Sequence, residues 1–137
     1  MNKLYSIAAV ALVVASCAVQ EDKTPIAERS EAFEFGQLMI QDSINKLDTA
    51  AESLDLLLNG SPLDNHVSLL INNNSKCNVI VRFAGDTTYN VPVRRKFRNF
   101  VVLEKGNYTV TSNLCSTRYA VRKTLMDSST LTLSESE

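Results

Sequence analysis

Two hydrophobic periods divide the chain. Between residues 40 and 58, apolar side chains recur at alternating steps of four and three residues, which places them on one stripe of a helix. From Asn65 onward, apolar and polar residues alternate, which is the period of a half-buried strand. The pattern predicts one amphipathic helix, residues 30–60, followed by a β domain, residues 65–137. The helical stripe consists of Ile40, Ile44, Leu47, Ala51, Leu54 and Leu58, with Phe33 one heptad upstream.

The predicted helix has recognisable ends and two possible uses. Ser30 is suited to cap its start, and Asn59-Gly60 is a typical stop. The apolar stripe is suited either to packing onto a sheet or to coiled-coil self-association. Because the heptads are few, and because Leu56 and Leu57 broaden the apolar face, we expect the stripe to pack onto the β domain. Self-association is the alternative.

Short turns separate the strands of the β domain. Turn signals such as Gly85-Asp86 and Lys105-Gly106 recur at regular spacing, and they divide it into six or seven short strands. Pro92 lacks a backbone N–H and therefore indicates an edge strand. We predict a mainly β fold with one N-terminal helix (α+β), in which the strands form an antiparallel sandwich, Ig-like or transthyretin-like.

The first residues have the layout of a secretory signal peptide. Lys3 supplies a positive charge, and residues 7–15 form an apolar run. The run is too short to span a bilayer as a helix, which requires about 20 residues. We therefore interpret residues 1–16 as a signal peptide.

Residues Val14-Ala15-Ser16-Cys17 resemble the lipobox of bacterial lipoproteins. The resemblance implies that Cys17 is the first mature residue and carries acyl chains such as palmitate. It also implies a lipid anchor in the cell envelope. Position 18 is Ala, not the Asp that retains some lipoproteins in an inner membrane, so we expect the outer membrane, on its periplasmic or surface face. Residues 17–29 then form a polar tether. The alternative is an ordinary signal peptide with an incidental cysteine.

Charge is distributed unevenly along the chain. Residues 27–58 contain seven acids and two bases, whereas residues 76–123 contain ten bases and two acids. The halves can attract each other, or the basic half can bind an acidic partner. The densest feature is the basic turn, Arg94, Arg95, Lys96 and Arg98. It is a candidate site for an anionic glycan, a lipid head group or an acidic peptide. The alternative is a charged turn that prevents edge-to-edge pairing of strands.

Cys77 and Cys115 are the two cysteines besides Cys17. In an exported chain an even pair indicates a disulfide, which would stabilise the fold by about 3 to 4 kcal/mol. Two free buried thiols are the alternative. A metal site needs more ligands than this sequence offers, since His66 is the one histidine, and no Cys-x-x-Cys is present.

The second half of the chain resembles a family of unknown function, DUF6759, which occurs in small lipoproteins of Bacteroidetes, mainly Flavobacteriia. The similar features are Cys77, the strand Val91-Pro92-Val93, the strand pair of residues 99–110, and Cys115. The resemblance implies an envelope location and a small β fold, and it implies no activity.

Catalytic signatures are weak throughout. Nucleophilic catalysis needs a base near its nucleophile. The one histidine, His66, lies at the start of the first predicted strand, where a lone exposed histidine is structurally ordinary. Four scattered glycines form no phosphate-binding loop. We therefore expect no enzyme, no cofactor and no metal, and export disfavours nucleic acid. The sequence predicts a lipid-anchored envelope protein with a structural, accessory or protein-binding role. The alternatives are a ligand-binding module centred on the basic turn and a helix-mediated self-assembling protein.

Overall fold

The computed structural model describes residues 26–135 and confirms one helix followed by a β-sandwich. The predicted signal peptide, residues 1–16, and Cys17 lie outside the described residues. No helix in the described range is long and apolar enough to cross a membrane. The elements are α1 (Ile26–Asn59), β1 (His66–Asn73), β2 (Val79–Ala84), β3 (Thr88–Val93), β4 (Arg98–Glu104), β5 (Gly106–Leu114), β6 (Thr117–Leu125) and β7 (Ser129–Leu133).

Two sheets face each other across one apolar core. One sheet has the strand order β4-β1-β7, and the other has the order β3-β2-β5-β6. The alternating apolar residues predicted to point inward from β1 and β2 are buried in this core. Val81, Phe83 and Val110 have no exposed surface, and the Phe83 and Tyr108 rings pack edge to face with their centroids 6.2 Å apart.

The last strand departs from the predicted antiparallel arrangement. β7 pairs with β1 in parallel, with Leu69 opposite Ser129 and Asn73 opposite Leu133. The direction follows from the connection. β6 ends at the end of the sandwich where β1 begins, since Leu125 pairs with Gly106 and Glu104 pairs with His66. The short segment 126–128 crosses between the sheets there, so β7 must run alongside β1.

β3 and β4 are edge strands on the same side of the sandwich. Pro92 lies in β3, as its missing N–H predicted, and pairs with Ile80 of β2. Helix α1 lies along this side and contacts β1, β3 and β4. It therefore covers edges whose backbone groups would otherwise be free to pair with another chain.

The helix begins earlier than predicted and ends as predicted. It starts at Ile26, so Ser30 lies inside it and is not its cap, and the predicted tether overlaps its first turn. It ends at Asn59, where the Gly60 N–H donates to the Leu56 carbonyl at 3.2 Å. A side chain at Gly60 would have its Cβ only 2.4 Å from that oxygen, which explains glycine at this position.

The predicted packing of the apolar stripe is wrong. Leu47 is 87% exposed and Leu54 is 58% exposed, because the helix turns its opposite face toward the sandwich. That inner face includes Phe35, Asp42 and Lys46, which are partly buried, and Ser53 and Leu56, which are buried. We call the exposed side chains the outer stripe: Phe33, Ile40, Ile44, Leu47, Ala51, Leu54 and Leu58.

Candidate functional site

The candidate site residues of the β domain gather at one end of the sandwich. The β1–β2, β3–β4 and β5–β6 connections all lie there, and we call it the disulfide end. The β1–β2 connection contributes Lys76, and the β3–β4 connection contributes the basic turn. Arg118 follows at the start of β6. The structure thus brings together bases that are distant in sequence.

The predicted disulfide is confirmed. Cys77 and Cys115 are bonded, with their Cα atoms 5.4 Å apart. The two cysteines meet because β2 and β5 are antiparallel neighbours, with Arg82 opposite Thr111. The same register continued beyond the strand ends brings Cys77 beside the β5–β6 turn. Cys115 itself has a φ of 55°, a left-handed conformation that is uncommon for a residue with a side chain.

A buried asparagine holds the connections of this end in place. Asn73 is 1% exposed, and its side-chain amide donates to the carbonyls of Cys77 at 2.9 Å, Arg94 at 3.1 Å and Val93 at 3.2 Å. Its side-chain oxygen accepts bonds from the N–H and hydroxyl of Ser75. One side chain therefore fixes both the disulfide connection and the basic turn.

The basic turn is tight and exposed, and hydrogen bonds hold its backbone in place. The Phe97 N–H donates to the Arg94 carbonyl at 3.1 Å, and Lys96 has a φ of 57°. The Arg95 N–H donates to the side chain of Asn78 at 2.9 Å. Arg94, Arg95, Lys96 and Arg98 are all exposed, and the Phe97 side chain is 63% exposed. The arrangement presents cations and one aromatic ring to solvent on a fixed backbone.

A cleft of about 260 Å³ separates the start of α1 from the disulfide. Glu31 and Phe35 line it from the helix, and Asn78 and Ile80 line it from the sandwich. The side-chain amide of Asn113 donates to the Glu31 carboxylate at 2.9 Å across its edge. The N-terminal part of α1 therefore lies beside the disulfide end.

An ion pair joins the same part of the helix to β2. The Arg82 guanidinium donates to both oxygens of Glu34, at 2.7 and 2.8 Å. These hydrogen bonds lower the pKa of Glu34 below its ordinary value, and desolvation only partly opposes them. The same hydrogen bonds to Glu34 also raise the pKa of Arg82. The pair attaches acidic helix to basic sheet, in accord with the attraction expected between the two halves.

Lys46 attaches the middle of the helix to both edge strands. Its ammonium donates to the side chains of Asp42 and Asn99 and to the carbonyl of Phe100, and it lies 3.9 Å from the centre of the Phe100 ring. The Asn99 amide donates in turn to the Pro92 carbonyl at 2.8 Å. A single cluster thus connects α1, β3 and β4.

Groups of metal-ligating type lie at the disulfide end but have the wrong chemistry. The carboxylate of Glu135 and the sulfurs of Cys77 and Cys115 lie within 4.8 Å of one another. Metals bind thiolate, and both sulfurs are committed to the disulfide. His66 is exposed at the start of β1, at the opposite end of the sandwich.

Sequence reasoning missed the two polar clusters. Asn73 stands in a run of asparagines that predicts only a turn, and Lys46 stands among polar helix residues. The one available signal was the isolation of Lys46, since it is the single base between Arg29 and Leu58.

Residues 43–136 match the family described as a domain of unknown function, DUF6759. The match covers more than half of the chain, so the chain belongs to this family. It begins inside α1 and includes Lys46 and Ser53, so the part of the helix from Ser43 to Asn59 belongs to the matched domain. No curated protein and no solved structure matches the chain.

Proposed function

We propose that this member of the DUF6759 family is a lipid-anchored protein of the bacterial cell envelope that acts by binding and not by catalysis. In this proposal Cys17 carries the lipid, and the sandwich is held at an outer-membrane surface in an accessory role. The basic disulfide end faces the anionic head groups.

The observation that carries the proposal is the position of the helix start. Eight residues separate Cys17 from Ile26. Even fully extended, the chain from Cys17 to Ile26 reaches about 30 Å. Since Glu31 and Phe35 lie beside the disulfide, an anchor at Cys17 holds the disulfide end close to the bilayer.

The charge of that end supports the same orientation. Lys76, the basic turn and Arg118 lie at the same end of the sandwich, and all of these bases are exposed. Each Lys or Arg near an anionic membrane surface contributes about 1 kcal/mol of attraction. A short tether raises the effective concentration of the membrane surface near the basic residues, so a weak affinity of these residues for head groups is sufficient to keep them in contact.

The anchor is tested on the chain in its native envelope. Mass spectrometry of the N-terminal peptide should find Cys17 as the first residue, with diacylglyceryl and acyl groups attached. The Cys17→Ala chain should lose this modification and leave the membrane fraction. An unmodified or differently placed N-terminus would rule out the anchor.

The orientation is tested separately with vesicles and lipid-free protein, residues 17–137 carrying Cys17→Ser. Arg94→Ser combined with Arg95→Ser should weaken binding to anionic vesicles roughly 30-fold, which corresponds to two lost charges. Arg122→Ser combined with Lys123→Ser on β6 removes the same charge and should have a smaller effect. Equal losses of vesicle affinity for the two double variants would show that binding depends on the net charge of the protein and not on the position of the basic turn.

A further inference from the structure

We propose that the outer stripe of α1 is the interface of a parallel homodimer, formed as a two-stranded coiled coil with a second copy of this chain. The interface extends from Phe33 to Leu58. It leaves the sandwich and its basic end on the outside of the dimer.

The outer stripe follows the coiled-coil repeat without a break. When the polar Gln37 is counted with the stripe, the steps between its positions are alternately four and three residues from Phe33 to Leu58. Ile44 at an a position is followed by Leu47 at a d position, the combination that favours two parallel strands, and Gln37 is a single polar residue at an a position. The a positions are Gln37, Ile44, Ala51 and Leu58, and the d positions are Phe33, Ile40, Leu47 and Leu54.

The sandwich occupies the face that a coiled coil leaves free. In this register the f positions are Phe35, Asp42, Thr49 and Leu56, and all four are partly or fully buried against the sandwich. The f position points away from the partner helix in a two-stranded coil. A second helix can therefore dock on the outer stripe without meeting either sandwich.

The exposed apolar area of the outer stripe is large enough for the interface of a stable dimer. Six large apolar side chains of the outer stripe are exposed by between 58% and 87%. Their combined surface is of the same order as the roughly 800 Å² that each partner contributes to a standard interface. It exceeds the apolar patch of about 300–600 Å² that is usual on a monomer.

The residues that flank the outer stripe favour a second copy of this chain as the partner and a parallel orientation of the two helices. In a parallel pair each e position lies beside a g position of the partner. The g positions Gly36, Ser43, Ala50 and Leu57 are uncharged, so the acidic e positions Asp48 and Asp55 meet no like charge. An antiparallel pair would set the acidic e row against the same row of its partner. If the proposed anchor is correct, the parallel direction also places both lipids on one side.

Cysteine crosslinking of the full chain in its envelope tests the register. Ile40→Cys places the two thiols opposite each other in the parallel coil, within disulfide distance. Asn45→Cys, at an exposed b position, is the matched control. Mild oxidation should give a covalent dimer at position 40 and only the wild-type background at position 45. Equal yields, or no dimer at position 40, would overturn the proposal.

Sedimentation of residues 17–137 carrying Cys17→Ser, which contain every element of the fold, tests the interface without the lipid. Leu47→Glu should raise the dimer dissociation constant at least about 100-fold, because it sets two carboxylates face to face in the seam. Its circular dichroism should not change, because Leu47 is 87% exposed. Asn45→Glu should leave the dimer intact. A monomeric parent chain overturns the dimer, whereas an unmodified Cys17 overturns only the anchor.

Discussion

The two faces of α1 reverse the usual relation between polarity and burial. The face that packs against the sandwich includes Glu34, Asp42, Lys46 and Ser53, and its contacts include ion pairs and hydrogen bonds beside the buried Leu56. The face that points to solvent is the apolar outer stripe. The amphipathic helices of globular proteins commonly bury their apolar stripe. Amphipathicity therefore identified the helix here without identifying the face that docks.

The difference follows from what the sandwich offers. Its open side presents the edge strands β3 and β4, whose backbone groups need hydrogen-bond partners. Lys46 of the helix donates to the Phe100 carbonyl and to the Asn99 side chain of β4, which an apolar stripe cannot do. Polar residues thus attach the helix to the domain, and the apolar outer stripe is left exposed.

The largest expected change in the free energy of unfolding distinguishes two leucines in one turn of the helix. Leu56 is 9% exposed and Leu54 is 58% exposed. Leu56→Ala should lower the free energy of unfolding by about 2 to 3 kcal/mol, because it removes buried methyl groups and leaves a cavity. Leu54→Ala should change it by less than about 0.5 kcal/mol. Chemical denaturation at concentrations that keep the chain monomeric measures both, and equal losses would mean that both faces are packed.

Removal of the Lys46 ammonium should have the next largest effect. Lys46→Met keeps the length of the side chain, removes the ammonium that donates to the Phe100 carbonyl, and leaves the Asp42 carboxylate with only the Asn99 amide as its donor. We expect a loss of about 1 to 2 kcal/mol in unfolding free energy. Lys76→Met, in the exposed β1–β2 connection, is the control and should be nearly neutral. A neutral Lys46→Met would show that the polar face contributes little to docking.

A stabilising substitution tests the outer face. Gly36 lies in the helix, and a Cβ built there meets no atom within 4 Å. Gly36→Ala should raise the unfolding free energy by about 0.5 to 1 kcal/mol, since glycine has more backbone freedom to lose. Thermal unfolding of the monomer measures the gain. A loss of stability would indicate that the position is already covered.

The smallest effect is a pH dependence of the Glu34–Arg82 pair. The hydrogen bonds from Arg82 lower the pKa of Glu34, so the folded state favours the ionised carboxylate. Its contribution is therefore present above the ordinary pKa of 4.5 and is lost as pH falls below it through the lowered value. The pair is partly exposed, so Glu34→Gln should cost only about 0.5 kcal/mol at neutral pH.

Urea unfolding at several pH values checks this expectation. The difference in stability between wild-type and Glu34→Gln chains should shrink as the pH is lowered through that interval. Asp48 is exposed on the helix, and Asp48→Asn serves as the control for general acid effects. A difference that stays constant with pH would show that the ion pair does not contribute.

Local chemistry made much of the fold predictable. The period of two identified Val81 and Phe83 as core residues, Pro92 marked an edge strand, and Asn59-Gly60 marked the helix end. Each of these signals acts within a few residues of chain. The basic turn was also visible, because its four cations are adjacent in sequence. The polar support from Asn73 was not visible, because its partners Val93 and Arg94 lie about 20 residues away.

Side-chain pattern alone was enough to identify which segments are helix and strand, the C-terminal end of the helix, and the two cysteines that pair. These properties depend on side-chain period, backbone restriction and composition, all of which are local. The docking of the polar face of α1 and the parallel direction of β7 beside β1 became apparent only from the folded arrangement. Both features depend on the positions of edge strands and chain crossings that are distant in sequence. The hydrophobic period of a segment reflects only its near neighbours and therefore does not predict those positions.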